Sequence, residues 1–72
     1  MQYDGKLLME GLVETTQSRE DENGEEVIEI MVRRPDTLFN FTITRTQLIE
    51  EHQAGRISEQ NEFVLQMYLV SI

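Results

Sequence analysis

Apolar and polar residues alternate through most of the first half of the chain, and a period of two predicts strands. Residues 3–19 predict one long strand with apolar side chains at both parities. Residues 27–33 predict a second strand, which places Ile28, Ile30 and Val32 on one face. The pattern therefore indicates two neighbouring strands that present apolar side chains to a common core.

The dipeptide Asn23-Gly24 between these strands predicts a hairpin, because both residues tolerate a positive φ. A two-residue turn there pairs the strands in one register: Arg19 with Ile28, Gln17 with Ile30, Thr15 with Val32 and Glu14 with Arg33. The last pair sets an acid opposite a base, which favours this register. An exposed pair of this kind contributes only ~0.2–1 kcal/mol.

A third strand and a helix are predicted next. Residues 38–43 alternate again, and residues 44–55 carry the signals of a helix. Thr44 and Gln47 fit a capping box, in which each side chain satisfies an otherwise unpaired backbone N–H. Gly55 fits the left-handed residue that follows a last helical turn.

The final residues, EFVLQMYLVSI at 62–72, are apolar at both parities, and Gln66 is the only clearly polar residue between Phe63 and Val70. Their β-branched and aromatic content favours a strand buried on both sides. The competing interpretation makes Ser58 an N-cap and continues as a helix from about Glu59 to Tyr68, and periodicity does not separate the two for so short a run. As a strand, this segment leaves one sheet face short of cover, which a second molecule would supply.

Together these elements predict an α+β fold in which residues 1–72 form a single domain. The expected architecture is a small, curved antiparallel sheet of about four strands in the order β-β-β-α-β. One helix packs on one face of that sheet. The chief alternative is a small barrel-like closure of the same strands.

Composition restricts the function. Fourteen acidic against six basic residues give a net charge of −8, which argues against direct binding of nucleic acid or an anionic membrane. The same charge suits a basic protein partner. No apolar run approaches the ~20 residues of a membrane span, and the first residues lack the apolar core of a signal peptide, so we expect a cytoplasmic protein.

The absence of cysteine excludes disulfides and thiolate metal sites from this chain. A single histidine also makes a histidine-based metal site an unfavourable interpretation, and no cofactor is expected. Chains this small commonly need a disulfide, a metal or a partner for stability. Association with another protein or with a second copy is therefore the remaining source of stability.

Five carboxylates surround the predicted turn, and they belong to Glu20, Asp21, Glu22, Glu25 and Glu26. They could form a docking surface for a basic protein, or only a solvated hairpin tip whose like charges oppose aggregation of strand edges. A calcium site requires oxygen ligands at fixed offsets, which this stretch lacks. We interpret the segment primarily as a solvated turn, and a contact surface is the secondary interpretation.

Catalytic chemistry is not predicted. His52 lies on the expected helix beside Glu51, but a catalytic histidine needs a nucleophile or an acid–base partner in a pocket. The four glycines are scattered and form no phosphate-binding loop. His52 is therefore expected to be a partly exposed structural residue, and no catalytic, cofactor-binding or metal-binding residue is assigned.

The predicted function is a non-enzymatic protein-interaction module that binds a partner or forms a homo-oligomer through an apolar sheet face or the C-terminal strand. The residues expected to make this contact are Val64, Tyr68, Val70 and Ile72. The alternative is an acidic inhibitor or DNA mimic of the kind that phages and mobile elements supply. Its carboxylates at the predicted turn would occupy the basic groove of a nucleic-acid-binding protein.

Overall fold

The computed structural model describes residues 5–70 as an α+β fold with a three-stranded antiparallel sheet and several short helices. The strands lie in the order β1-β2-β3. The elements in chain order are α1 (Leu7–Glu10), β1 (Leu12–Glu20), β2 (Glu26–Arg34), β3 (Thr37–Thr44), α2 (Arg45–Gln53), α3 (Glu59–Val64) and α4 (Gln66–Leu69). The α+β class is confirmed, whereas the expected sheet of about four strands with one helix is not.

The loop between β1 and β2 is longer than the predicted two-residue turn. The Asp21 backbone N–H donates to the Glu25 carbonyl at 2.9 Å, so three residues lie between the closing pair. The Asp21 carboxylate also accepts hydrogen bonds from the backbone N–H groups of Asn23 and Glu25, both at 2.9 Å. Gly24 has φ +76°, the left-handed conformation that glycine adopts without strain. The Asp21 side chain thus stabilises a wider loop, and the ladder is shifted by one residue.

The ladder shows this shift and then a β-bulge. Arg19 lies opposite Val27 rather than Ile28, so the predicted register is wrong. The pairing shifts again between Val13 and Thr15, which leaves Glu14 as the extra residue of the bulged strand. The predicted contact between Glu14 and Arg33 is nevertheless present, because the Arg33 guanidinium reaches the Glu14 carboxylate and forms an ion pair.

One face of the sheet forms the core and the other remains open. The core combines side chains of the sheet with side chains of the helices and their connections: Val13, Ile28, Ile30, Val32, Phe41 and Ile43 from the strands, and Leu7, Leu8, Leu48, Ile57, Leu65 and Tyr68 from outside them. The open face is largely polar, with Thr15, Gln17, Glu29, Asn40 and Thr42 among its residues. The apolar face of the sheet is therefore covered by the chain's own helices.

Helix α2 begins at the predicted N-cap residue and ends at the predicted glycine. The Thr44 hydroxyl accepts a hydrogen bond from the Gln47 backbone N–H at 3.1 Å. At the other end, Gly55 has φ +74°, and the Arg56 N–H donates to the Glu51 carbonyl at 2.9 Å. Together with the bond from the Gly55 N–H to the His52 carbonyl, this forms a Schellman motif.

The expected C-terminal strand is wrong, and the competing helical interpretation is confirmed. The Ser58 hydroxyl accepts from the Asn61 N–H at 3.4 Å at the start of α3, and α4 follows after the single residue Leu65. Asn61, Leu65 and Tyr68, spaced i, i+4 and i+7, are all buried. A helix places this spacing on one face, whereas a strand would distribute it over both. Burial against the sheet therefore outweighs the local strand propensity.

The start of the predicted first strand is helical as well, and residues 3–4 lie outside the described part of the chain. Leu7 and Leu8 are both fully buried in α1, where one helical turn brings both side chains to the same core. A strand would send them to opposite faces. At Gly11, which joins α1 to β1, an added Cβ would lie 2.2 Å from the Val32 Cγ1, so the junction packs directly on β2.

Candidate protein-interaction surface

A buried asparagine fixes the C-terminal helical segment to the start of the sheet. The Asn61 Oδ1 accepts a hydrogen bond from the Val13 backbone N–H at 2.9 Å. Its Nδ2 donates to the carbonyls of Leu8 and Gly11, both at 2.8 Å. All these groups are buried, so each hydrogen bond replaces one that water would make in the unfolded chain. One side chain, the Asn61 anchor, thus joins α3 to both ends of the α1–β1 junction.

The inner side of the same segment packs on the sheet through Leu65 and Tyr68. The Tyr68 hydroxyl lies 3.1 Å from the Thr16 hydroxyl, which gives its polar end a partner on β1. At the end of α4, the Arg45 guanidinium donates to the carbonyls of Tyr68 and Val70, both at 3.0 Å. A cation is favourable there, because the last carbonyls of a helix carry partial negative charge. The segment is therefore held at both ends.

The outer side of this segment is also apolar. Phe63, Met67 and Val70 are 79%, 71% and 50% exposed, and Val64 beside them is 43% exposed. Phe63, Met67 and Val70 have the i, i+4, i+7 spacing that places residues on one side of a helix. We call these four residues the C-terminal apolar patch. Single exposed apolar residues are ordinary, but several together on one helical segment are typical of a contact surface.

Polar and acidic side chains border the C-terminal apolar patch. Glu59, Gln60, Glu62 and Gln66 line a shallow, open depression together with Phe63. The Glu62 Oε2 lies 3.1 Å from the Nε2 of His52, which connects α3 to α2. An apolar centre with a polar border is the usual arrangement of a protein–protein interface.

The carboxylates of the hairpin tip do not converge on one point. The Asp21 carboxylate accepts hydrogen bonds from backbone N–H groups of its own loop. The Glu26 Oε1 lies 3.7 Å from the Nη1 of Arg45. Glu20 and Glu26 oppose each other in the ladder. Within residues 5–70, no group of three or more histidine, cysteine, aspartate or glutamate residues is placed to hold a metal ion. The tip is therefore a distributed acidic surface.

The residues predicted to bind a partner fall into three environments. Val64 and Val70 are exposed and belong to the C-terminal apolar patch. Tyr68 is only 7% exposed and faces the sheet, so little of its surface is open to a partner. Ile72 lies outside the described residues. The five acids of the tip line or adjoin the hairpin loop, where Asp21 and Glu26 are half-buried and the others exposed.

Sequence reasoning missed Phe63, Met67 and Asn61. The signal for the first two was present, because 63, 67 and 70 have helical spacing, but the strand interpretation placed Val70 on the opposite face from Phe63 and Met67. Asn61 gives no such signal, since an asparagine in a helix is ordinarily an exposed residue. Its role depends on carbonyls fifty or more residues away in the chain, those of Leu8 and Gly11, at separations of 53 and 50.

These contacts define a rigidly held helical segment with one side in the core and an apolar side facing outward. His52, the only histidine, contacts Glu62 and serves to join two helices. Across residues 5–70, the structure contains no helix that is both long and apolar enough to cross a membrane. No family model, no curated protein and no solved structure matches this chain.

Proposed function

We propose that the chain is a small, cytoplasmic, non-enzymatic protein-interaction module whose binding surface is the C-terminal apolar patch. The patch binds a partner protein or a second copy of the chain. The observation that carries the proposal is that α3 and α4 bear two apolar sides, of which the sheet covers only one. The apolar side of a helix is normally the side that is buried.

The energetics support a binding role for the outer side. Complete burial of a side chain such as Phe63, Met67 or Val70 stabilises by roughly 1.5–3 kcal/mol relative to exposure. The isolated chain realises only part of this gain, since all three side chains are at least half exposed. Their burial by a partner would therefore favour association.

Preorganisation supports the proposal further. The Asn61 anchor and the hydrogen bonds from Arg45 hold the segment against the sheet at both ends. A surface that is already ordered loses less conformational entropy on binding than a flexible one. The open face of the sheet offers a weaker surface, because most of its side chains are polar and Leu12 and Leu38 are the exposed apolar residues there.

Site-specific photo-crosslinking in the native cells tests this proposal. A benzoylphenylalanine would replace Phe63 in the patch or, as the matched control, Thr42 on the open face of the sheet. We expect a defined covalent adduct, to a partner or to a second copy, from position 63 and not from position 42. An adduct pattern at 63 that is no stronger than at 42 would contradict the proposal.

A second candidate, the acidic inhibitor or DNA mimic, is favoured by one feature of the hairpin. Residues 17–20 of β1 are exposed, as are Glu22 and Glu25 of the loop, so most carboxylates of the tip are open to solvent. Replacing Glu20, Glu22 and Glu25 by glutamine would abolish binding to a basic protein in this case, and would leave binding through the C-terminal apolar patch unchanged.

A further inference from the structure

We propose that the partner of the C-terminal apolar patch is a basic amphipathic segment, with apolar anchors for the patch and lysine or arginine beside them. This inference rests on the proposed function, because it specifies the chemistry of what the patch binds. It excludes a second copy of the chain as the principal occupant.

Two acidic residues at the border of the patch, Glu59 and Glu62, line the same depression as Phe63. Glu59 lies one helical turn before Phe63, so the two side chains are neighbours on the α3 surface. Glu62 and Phe63 line the same depression, and the remaining lining residues, Gln60 and Gln66, are neutral. The segment from residue 59 to residue 70 contains no lysine or arginine. A partner that covers Phe63 therefore meets carboxylates at the edge.

Two arginines are already occupied, one that contacts this segment and one that lies three residues before it in the chain. Arg45 donates to the carbonyls of Tyr68 and Val70 and lies near Glu26. Arg56 forms an ion pair with Glu51, whose carboxylate is nearly buried. These contacts leave the carboxylate of Glu59 without a described basic partner, and a cationic group of a bound protein would supply one.

Charge also argues against a second copy. A twofold contact through Phe63 would bring the same surface of each copy together, so Glu59 and Glu62 of one copy would approach those of the other. Each copy carries a net charge of −8, which adds a longer-range repulsion. The carboxylates of Glu59 and Glu62 would attract a basic segment, whereas they would repel a second copy of the chain.

Titration of the ¹⁵N-labelled full chain with three designed peptides tests the inference. The first peptide has leucine at helical i, i+3, i+4 and i+7 positions and lysine elsewhere. The second replaces every lysine by glutamate, and the third replaces every leucine by serine. At physiological salt we expect only the leucine–lysine peptide to bind, with amide shifts concentrated in residues 59–70 and with weaker binding at higher salt.

Variants assign this binding to named side chains. Phe63→Gln should weaken it by about tenfold or more, as truncation of an interface anchor does. Glu59→Gln should weaken it by about threefold. The matched control, Glu22→Gln, makes the same change in net charge at the hairpin tip and should leave the affinity unchanged.

The other outcomes overturn the inference in distinguishable ways. Equal binding of the leucine–glutamate peptide would reject a basic partner and keep the patch as a binding surface. Equal binding of the serine–lysine peptide, or shifts centred on the hairpin tip, would show that charge alone attracts the peptide. A dimer that Phe63→Gln dissociates would replace the basic partner by self-association. Failure of every peptide would reject the inference, and crosslinking from position 63 would then decide the proposed function separately.

Discussion

Asn61 shows how one polar side chain can organise a core that is otherwise apolar. Its amide satisfies one backbone donor and two backbone acceptors that come from α1, β1 and the residue between them. A buried polar group left without a partner costs about 1–3 kcal/mol. Because all three partners are main-chain groups, a substitution cannot be compensated by a rotation of a neighbouring side chain.

Asn61→Ala should lower the free energy of unfolding by about 2–4 kcal/mol, since it leaves several buried backbone groups unpaired. Asn61→Asp has nearly the same size but cannot donate to the carbonyls of Leu8 and Gly11, so it should destabilise as strongly. Urea denaturation followed by circular dichroism measures both variants. If Asn61→Asp were as stable as the native chain, the two donated hydrogen bonds would have no energetic role.

The ion pair between Glu14 and Arg33 has a defined pH dependence. The hydrogen bond from the Arg33 guanidinium lowers the pKa of the Glu14 carboxyl below its ordinary value. The pair therefore stabilises the fold above the ordinary glutamate pKa of about 4.3, and this contribution is lost as the pH falls through the lowered pKa. Both groups are exposed, so the effect should be small.

Unfolding of the native chain and of Glu14→Gln at a series of pH values checks this dependence. The difference in the free energy of unfolding should be constant near neutral pH and should shrink as the solution becomes more acidic than about pH 4. Glu22→Gln, at the hairpin tip, is the matched control. A difference that grows with acidity would reverse the sign of the proposed linkage.

At the scale of elements, the C-terminal segment is distinguished by its two apolar sides. Leu65 and Tyr68 are buried against the sheet, while Phe63 and Met67 face outward. A side chain that is buried within the fold stabilises the isolated chain, whereas a side chain that only a partner would bury does not. The two sides therefore differ in what their removal does to the isolated chain.

Leu65→Ala should lower the free energy of unfolding by about 2–5 kcal/mol, because it opens a cavity beneath α3 and α4. Phe63→Gln, on the outer side, should change it by no more than about 0.5 kcal/mol. Urea denaturation of both variants makes the comparison. A large loss of stability in Phe63→Gln would mean that Phe63 packs within the chain and is no part of a binding surface.

The elements that the sequence predicts well are those determined by neighbouring residues. The strands β2 and β3 follow from alternation, and α2 follows from Thr44 at one end and Gly55 at the other. The hairpin loop was predicted in place but one residue too short, because the Asp21 carboxylate adds hydrogen bonds that the Asn-Gly rule does not include.

The elements that the sequence does not predict depend on distant contacts. Residues 59–69 are apolar enough for either a strand or a helix, and the choice is made by packing on a sheet formed earlier in the chain. The helical turn α1 also depends on a distant contact, because Gly11 allows the junction after it to pack against Val32 of β2. The predicted contact residues Val64 and Val70 consequently lie on the exposed side of this segment, whereas Tyr68 faces inward.

At the scale of the whole molecule, acidic residues lie on most of the elements, including α3, which also carries Phe63 and Val64 of the C-terminal apolar patch. Four arginines form ion pairs with acidic residues: Arg33 with Glu14, Arg34 with Glu10, Arg45 with Glu26 and Arg56 with Glu51. The other described acidic residues lie on the hairpin tip, on the open sheet face at Glu29, in the turn between β2 and β3 at Asp36, and on the helices, including the border of the C-terminal apolar patch. We therefore predict that association covers the C-terminal apolar patch and leaves the open sheet face in solvent.

Oxidative footprinting of the methionines tests this central claim most directly. Met67 is 71% exposed in the patch, and Met9 on α1 is 47% exposed and serves as an internal control. In a dilute solution of the purified chain, both should be oxidised readily. In native cells, Met67 should be strongly protected while Met9 remains reactive. Equal oxidation of Met67 in the two settings would contradict the claim that a protein covers this surface.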